Sequence, residues 1–200
     1  MDFSLIKNKD RILLHIDSNV SSFILFKALE SYSYYAKKSY TVIPVYLDYG
    51  YDTENKKILS NLISNLQIID CGEIKDNILA RGKDATKSAW NKLERKKLIE
   101  LAISFNCSSI ALGSIHEDSL NHLHRSVVFE GKIAALRPKA KVQGSKISFI
   151  RPLIYCYLSD IKRYQEELGI ELRETEKVSL LFSAKYNPRD SATAAGLGFF

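Results

Sequence analysis

Along the chain, short runs rich in β-branched and aromatic residues alternate with longer amphipathic stretches. The runs predict strands over Arg11–Ile16, Thr41–Leu47, Leu66–Cys71, Ser108–Gly113 and Ile147–Ile150. The stretches between them predict helices over Ser21–Ala36, Thr53–Asn65, Ser88–Phe105 and Glu117–Glu130, with one more over Ser159–Leu168. In the third helix Leu98, Leu101, Ala102 and Phe105 recur at i, i+3, i+4 and i+7, which sets one apolar stripe against a sheet. Leu120, Leu123 and Val127 predict the same for the fourth. The runs VIPVYL and SIALG are apolar on both sides of their alternation, as strands covered on two faces are. The pattern therefore predicts a three-layer α/β fold with a mainly parallel sheet.

Two stretches fall outside the rhythm. Gly131 to Lys146, GKIAALRPKAKVQGSK, carries Lys132, Arg137, Lys139, Lys141 and Lys146 without an acid, and its Pro and Gly predict a basic loop. Glu174 to Phe200 loses periodicity and ends SATAAGLGFF, so it reads as a loose tail or a segment that packs on a partner. With 200 residues and 46% hydrophobic content, the expectation is one α/β domain over 1–175 followed by a tail over 176–200.

A formal charge of +6 admits nucleic acid or another polyanion as partner without demanding one. Arg81 to Lys97 holds seven Lys or Arg and Trp90; with the basic loop it reads either as a surface for an anionic polymer or as a solvated face. Cys71, Cys107 and Cys156 are odd in number, widely spaced and flanked by apolar residues, which predicts buried, reduced thiols and a cytoplasmic setting. No apolar run is long enough for a membrane span, so no membrane association is expected.

In an open parallel sheet, ligands bind beyond the carboxyl ends of the strands. That rule selects Asp17–Ser22, Asp48–Tyr51, Cys71–Glu73 and Gly113–Asp118. The first joins a strand to a helix, as a phosphate-binding turn does, yet it has no glycine. Two readings stay open: backbone amides of Asp17, Ser18, Asn19, Ser21 and Ser22 holding phosphate, or Asp17, Ser18 or Ser21 capping the helix through a side-chain oxygen. Asp48 ends its strand where a carboxylate serves a ribose hydroxyl, a metal-bound water or a turn amide. The histidines in ALGSIHEDSLNHLH lack the i, i+4 spacing of a helical metal site, and no metal ligand set is expected there. Asp118, in the first turn of a helix facing the strand ends, is the candidate functional carboxylate, with dipole compensation as the alternative.

The runs SSIALGSIHEDSLNHLHRSVVFEGKIAALRPKA and ISFIRPLIYCYLSDIKRY resemble the tRNA 2-thiocytidine synthetases (TtcA-type) of the PP-loop, or N-type ATP pyrophosphatase, superfamily. The match spans roughly residues 10 to 175, with IALG, Asp118 at the last Asp of GHxxDD, Gly131-Lys132 and the RPLxYC string at Arg151–Cys156. The resemblance implies a HUP-type (adenine nucleotide alpha hydrolase-like) sheet that binds ATP with Mg²⁺, adenylates a carbonyl oxygen of a tRNA base and lets sulfur displace AMP. The family loop SGGxDS falls on Asp17–Ser22, where only Ser22 is retained. Asp48 matches the acidic residue ending the second strand; Gly113 and Asp118 match part of the later motif, whose histidines are Ser114 and Ile115 here. By resemblance, Ser22 and nearby amides would face pyrophosphate, Asp48 and Gly113 the nucleoside, and Asp118 the reacting centre or Mg²⁺. The family's two Cys-x-x-Cys pairs would fall near Lys87 and Trp90 and near Thr175 and Val178, so no iron–sulfur cluster is expected. The reading is a divergent or degenerate tRNA-thiolation relative, with tRNA as a partner and the sulfur donor unassigned; the alternative is a non-catalytic scaffold or subunit binding tRNA or a protein.

Overall fold

A computed structural model describes residues 5–80 and 87–172. Among these residues, six strands and six helices follow one another as β1 (Arg11–Ile16), α1 (Val20–Tyr35), β2 (Thr41–Asp48), α2 (Thr53–Leu62), β3 (Gln67–Asp70), α3 (Gly72–Leu79), α4 (Lys87–Ser104), β4 (Ser109–Ala111), α5 (His116–Glu130), β5 (Lys139–Lys141), β6 (Ser148–Ile150) and α6 (Leu158–Leu168). The sheet order is β3-β2-β1-β4-β6-β5. All pairs are parallel except β5 with β6.

Alternation along β1 divides the core into two layers. Ile12, Leu14 and Ile16 point to the side covered by α1, α2 and α6, where Phe23, Leu59 and Ile161 pack on them. Leu13 faces the other side, with Ile78 of α3 and Leu98 and Ala102 of α4. Every residue of β1 after Arg11 is buried, as a central strand sandwiched between helices requires. Chain order reverses between β1 and β4, since β2 lies to one side of β1 and β4 to the other. The topology therefore opens its crevice beyond the ends of these two strands.

The fold and most elements agree with the pattern in the sequence, with three differences. The eight-residue α3 directly after β3 is not predicted; Gly72 opens it and it buries only Ile78. Within the stretch expected to be a loop, Lys139–Lys141 forms β5, pairing antiparallel with β6 through Lys139↔Ile150 and Lys141↔Ser148. A three-residue edge strand takes its stability from a non-local partner, and no local periodicity announces it. The stripe assigned to α5 does not lie on the sheet: Leu120 and Val127 are 51% and 48% exposed, and Ser126 is the buried residue of that helix. Its hydroxyl is bonded to Leu123 O and to Ala134, so the helix is held by its own following segment.

The predicted tail, including positions 175 and 178, and the basic residues over 81–86 lie outside the described residues. Among the described residues no helix is long and apolar enough to cross a membrane.

Candidate functional site: a cleft at the β1–β4 switch point

A cavity of about 340 Å³ lies beyond the carboxyl ends of β1 and β4. One wall is the β1–α1 connection, with Asp17, Asn19 and Ser21; another is the segment after β4, with Gly113, Ser114 and Asp118. The third wall is α4, which supplies Asn91, Glu94 and Arg95, and His15 and Phe149 also line the cavity. Residues separated by a hundred positions in sequence thus share one cleft.

The β1–α1 connection is held by its own side chains. Asp17 accepts the Asn19 backbone N–H through Oδ1 at 3.1 Å and the Asn19 side-chain amide through Oδ2 at 2.9 Å. Ser22, 1% exposed, accepts from the Asp17 N–H at 3.1 Å, and its hydroxyl lies 2.8 Å from Asn19 O and 3.1 Å from Asp17 O. Ser18 donates to Asp52, the residue that caps α2 by accepting from the Asn55 N–H at 3.3 Å. Asn19 occupies the N-cap position of α1 without a side-chain cap bond. The capping alternative is therefore corrected: Asp17 holds the Asn19 amide as an Asx turn one step ahead of the helix, and Ser18 and Ser21 supply no cap. Left-handed backbone among the described residues occurs at Lys9, Lys37, Asn106 and four glycines, none of them in Asp17–Ser22. The turn's conformation thus makes no demand for glycine.

Gly113 is needed for a different reason. A Cβ there would stand 2.7 Å from both Cα and N of Ser22 and 3.0 Å from the Ser21 carbonyl carbon. The missing side chain lets the end of β4 touch the first turn of α1, joining the two motif walls.

Asp118 is an exposed cleft residue that also accepts the Ile115 N–H through Oδ2 at 2.9 Å. It stabilises the start of α5 while its carboxylate borders the cavity. Asp48 is not among the residues lining this cavity: Oδ1 accepts the Gly50 N–H at 2.8 Å, and Oδ2 pairs with Lys56 Nζ at 2.6 Å. Burial raises its pKa, but Lys56, the Gly50 amide and Lys75 outweigh burial and hold the carboxyl below its ordinary value. The turn amide and Lys56 are thus the partners of Asp48 in this structure.

Sequence reasoning missed the α4 wall. His15 Nε2 lies 3.4 Å from Glu94 Oε1, with the side chains only 8% and 10% exposed. One turn before Glu94, Trp90 is 2% exposed and meets Tyr49 and Tyr51 edge-on, with centroids 4.9 and 6.3 Å away. Tyr49 and Tyr51 stack on each other at 5.8 Å. Burial is the main cause that raises both phenols' pKa, with Glu94 adding to it. Arg95 lies over the Phe149 ring at 4.2 Å and makes no ion pair among the described residues. One signal was available: Trp90, Glu94, Leu98 and Ala102 follow each other at four-residue steps, which extends the predicted buried stripe back to Glu94.

An iron–sulfur group does not fit at Trp90, where the resemblance locates one Cys-x-x-Cys position: an indole without a ligating atom is packed there against two tyrosines. Burial pushes Cys71 up to about 11 and raises Cys107 and Cys156 as well. Burial thus disfavours at each of the three the thiolate, the form that attacks or ligates. His122 and His124 are exposed, while His116 packs edge-on against Tyr157 at 4.8 Å. Among the described residues no cluster of three His, Cys, Asp or Glu is arranged to hold a metal ion.

Of the basic positions, Lys132, Arg137 and Lys141 are exposed. Lys139 and Lys141 stand on β5, and the Arg137 carbonyl accepts from Arg151 Nη1 at 2.8 Å. None of these four borders the cleft.

A mainly parallel sheet of this order, with its cleft at the β1–β4 switch point, is the HUP-type α/β fold. The U34-tRNA thiolase NcsA from Methanococcus maripaludis, solved with its [4Fe-4S] cluster, superposes on 92% of this chain and 66% of its own at a TM-score of 0.67 and 15% identity, a likeness of fold. In sequence, the chain is similar to tRNA-cytidine(32) 2-sulfurtransferases: 28% identical over 169 residues to that of Hahella chejuensis, covering 82% of this chain and 59% of the relative. It is 30% identical over 172 residues to that of Pectobacterium atrosepticum, covering 82% and 55%. The chain thus spans little more than half the length of these curated relatives. No protein-family model matches it. The likeness to the TtcA-type proteins of the PP-loop superfamily, carried first by a few motifs, extends over most of the chain.

Proposed function

We propose that the chain is a divergent TtcA-like protein that binds tRNA and whose β1–β4 cleft occupies the place of the relatives' nucleotide site, with adenylation weak or lost. The observation that supports this reading is the charge and self-bonding of the cleft. Asp17, Glu94 and Asp118 face it against one guanidinium, that of Arg95. The groups of the β1–α1 turn that would approach phosphate are bonded to one another. A naked polyphosphate is disfavoured among three carboxylates; ATP would enter with Mg²⁺, which Asp17 and Asp118 are chemically suited to meet. When bound, the nucleotide would supply the adenylyl group that activates a base carbonyl. In this chain Asp118 would face the metal or reacting centre, Ser21 and Asn19 would border the phosphates, and Ser22 would support the turn from beneath. Lys132, Arg137 and Lys141 are the exposed basic residues that would meet tRNA phosphates, with Lys139 on the same strand as Lys141. Such a chain acts in the cytoplasm, with its sulfur source outside the three thiols described.

Calorimetric titration of the purified chain with Mg²⁺–ATP, and in parallel with a nonhydrolysable analogue, tests the reading. Binding weaker than about 100 µM, a free energy smaller than about 5.5 kcal/mol, and further weakened by Asp118→Ala, is the expected result. Micromolar binding with turnover on tRNA would show a fully active enzyme and overturn the divergent assignment. No heat at millimolar ATP, from folded protein, would favour the scaffold alternative.

A further inference from the structure

Opposite the cleft, α1 ends in SYSYYAKKSY, residues 31–40. Tyr34 and Tyr35 are 82% and 80% exposed and meet edge to face, with centroids 5.6 Å apart and planes at 82°. An edge-on pair this exposed leaves ring faces open to solvent. The turn after the helix is stitched to the segment before β1. The Lys9 N–H donates to Ser39 O at 2.6 Å, the Ser39 N–H to Asn8 Oδ1 at 3.0 Å, and Lys38 Nζ to Ile6 O at 3.2 Å.

These bonds tie the segment that carries exposed Lys7 and Lys9 to the turn that carries exposed Lys37, directly after the helix end with the two tyrosines. None of the three makes an ion pair among the described residues. Of the neighbouring acids, Asp10 accepts from the Lys7 N–H at 2.7 Å and from Ser108 Oγ at 3.0 Å, and Glu30 pairs with Lys27 at 3.1 Å. This end of the molecule thus offers exposed aromatic rings together with three lysines that make no ion pair among the described residues.

We infer that this end of the molecule is a docking surface for single-stranded RNA, with bases stacked on Tyr34 and Tyr35 and phosphates met by Lys7, Lys9 and Lys37. Every base has a face that stacks on an aromatic ring, and ammonium groups track the backbone without reading sequence. An apolar protein partner would find its complement elsewhere, on the exposed aliphatic face of α5 with Leu120, Val127 and Val128. The surface lies about 24 Å from the cleft, the length of the sixteen-residue α1 at 1.5 Å per residue. It shares with the proposed function the premise that the chain meets RNA, but no residue of the cleft.

Fluorescence anisotropy of a labelled ten-nucleotide oligouridine, titrated with the full chain, tests the inference. Saturable binding should weaken with a log–log salt slope near −2, as expected for about three phosphate contacts. Tyr34→Ala with Tyr35→Ala should weaken it about tenfold or more, whereas Tyr34→Phe with Tyr35→Phe should leave it within about twofold, since the ring and not the hydroxyl stacks. Lys9→Ala with Lys37→Ala should flatten the slope by about 1.4. Each variant keeps its circular dichroism, because the replaced side chains are exposed. Absence of binding at low salt, equal affinity of the double alanine variant, or a duplex bound as tightly as the single strand would overturn the assignment. Mg²⁺–ATP titration of the double tyrosine variant should match the parent, so failure here and failure of the cleft are read separately.

Discussion

The β1–α1 turn and the facing wall on α4 border one cavity but satisfy their polar groups in opposite ways. In the turn, Asp17, Asn19 and Ser22 bond to one another at the surface end of a strand, so the loop is shaped by its own side chains. On α4, Glu94 reaches across to His15 of β1, and both are buried. Trp90 fills the adjoining space against Tyr49. The motif resemblance falls on the turn, yet Glu94 and Arg95 bring charge to the cleft from α4. One wall is thus bonded onto itself, while a buried polar pair lies under the other.

That contrast can be tested by unfolding in urea, read by the fluorescence of Trp90, the single tryptophan. Glu94→Ala should have the largest effect, about 3 kcal/mol of destabilisation, because it strips His15 of a buried partner. A loss below about 1 kcal/mol would show that solvent in the cleft replaces Glu94. Gly113→Ala should cost about 2 kcal/mol, the usual penalty for forcing a methyl group into a filled space; its Cβ meets backbone, not a yielding side chain. An unchanged midpoint would mean that the β4–α1 contact relaxes freely. Ser22→Ala should cost about 1 kcal/mol, the worth of a buried hydrogen-bonded hydroxyl, and should loosen the turn without altering α4.

The smallest effect, about 0.5 kcal/mol, is expected for Asp48→Asn, and it carries a pH signature. The folded carboxyl sits below its ordinary value of 3.8. Its contribution is thus present in full above that value and disappears as pH falls through the lower folded value. Parent and variant should differ at pH 7 and converge as pH falls well below 3.8. A difference that persists there would assign the loss to geometry instead of the Lys56 charge.

The sheet and its layers were legible because their signals are local. The run RILLHI reads as a buried strand and Leu98–Ala102 as a buried stripe, and both lie where the pattern sets them. The location of the cleft was legible too, since strand-end rules select Asp17 and Asp118 without any contact information. Its electrostatics were not. His15 stands amid four apolar residues in β1, and only a pairing across layers, invisible in one dimension, shows what it is for. The stripe of Leu120 and Val127 failed for the opposite reason: periodicity reports an amphipathic helix but not whether the sheet reaches beneath it. Strand β5 was hidden because proline and glycine mark a turn as readily as they flank a short edge pairing.

That edge strand has a consequence for the molecule's behaviour at high concentration. An open sheet ends in a row of unpaired backbone groups that invites another chain to add itself. Here the row ends in three residues, two of them lysines, laid antiparallel beside β6. Repulsion between two such edges, and their brevity, oppose growth of the sheet from one molecule into the next. Replacing Lys139 and Lys141 with valine would therefore be felt first as a lowered concentration at which the protein stays clear.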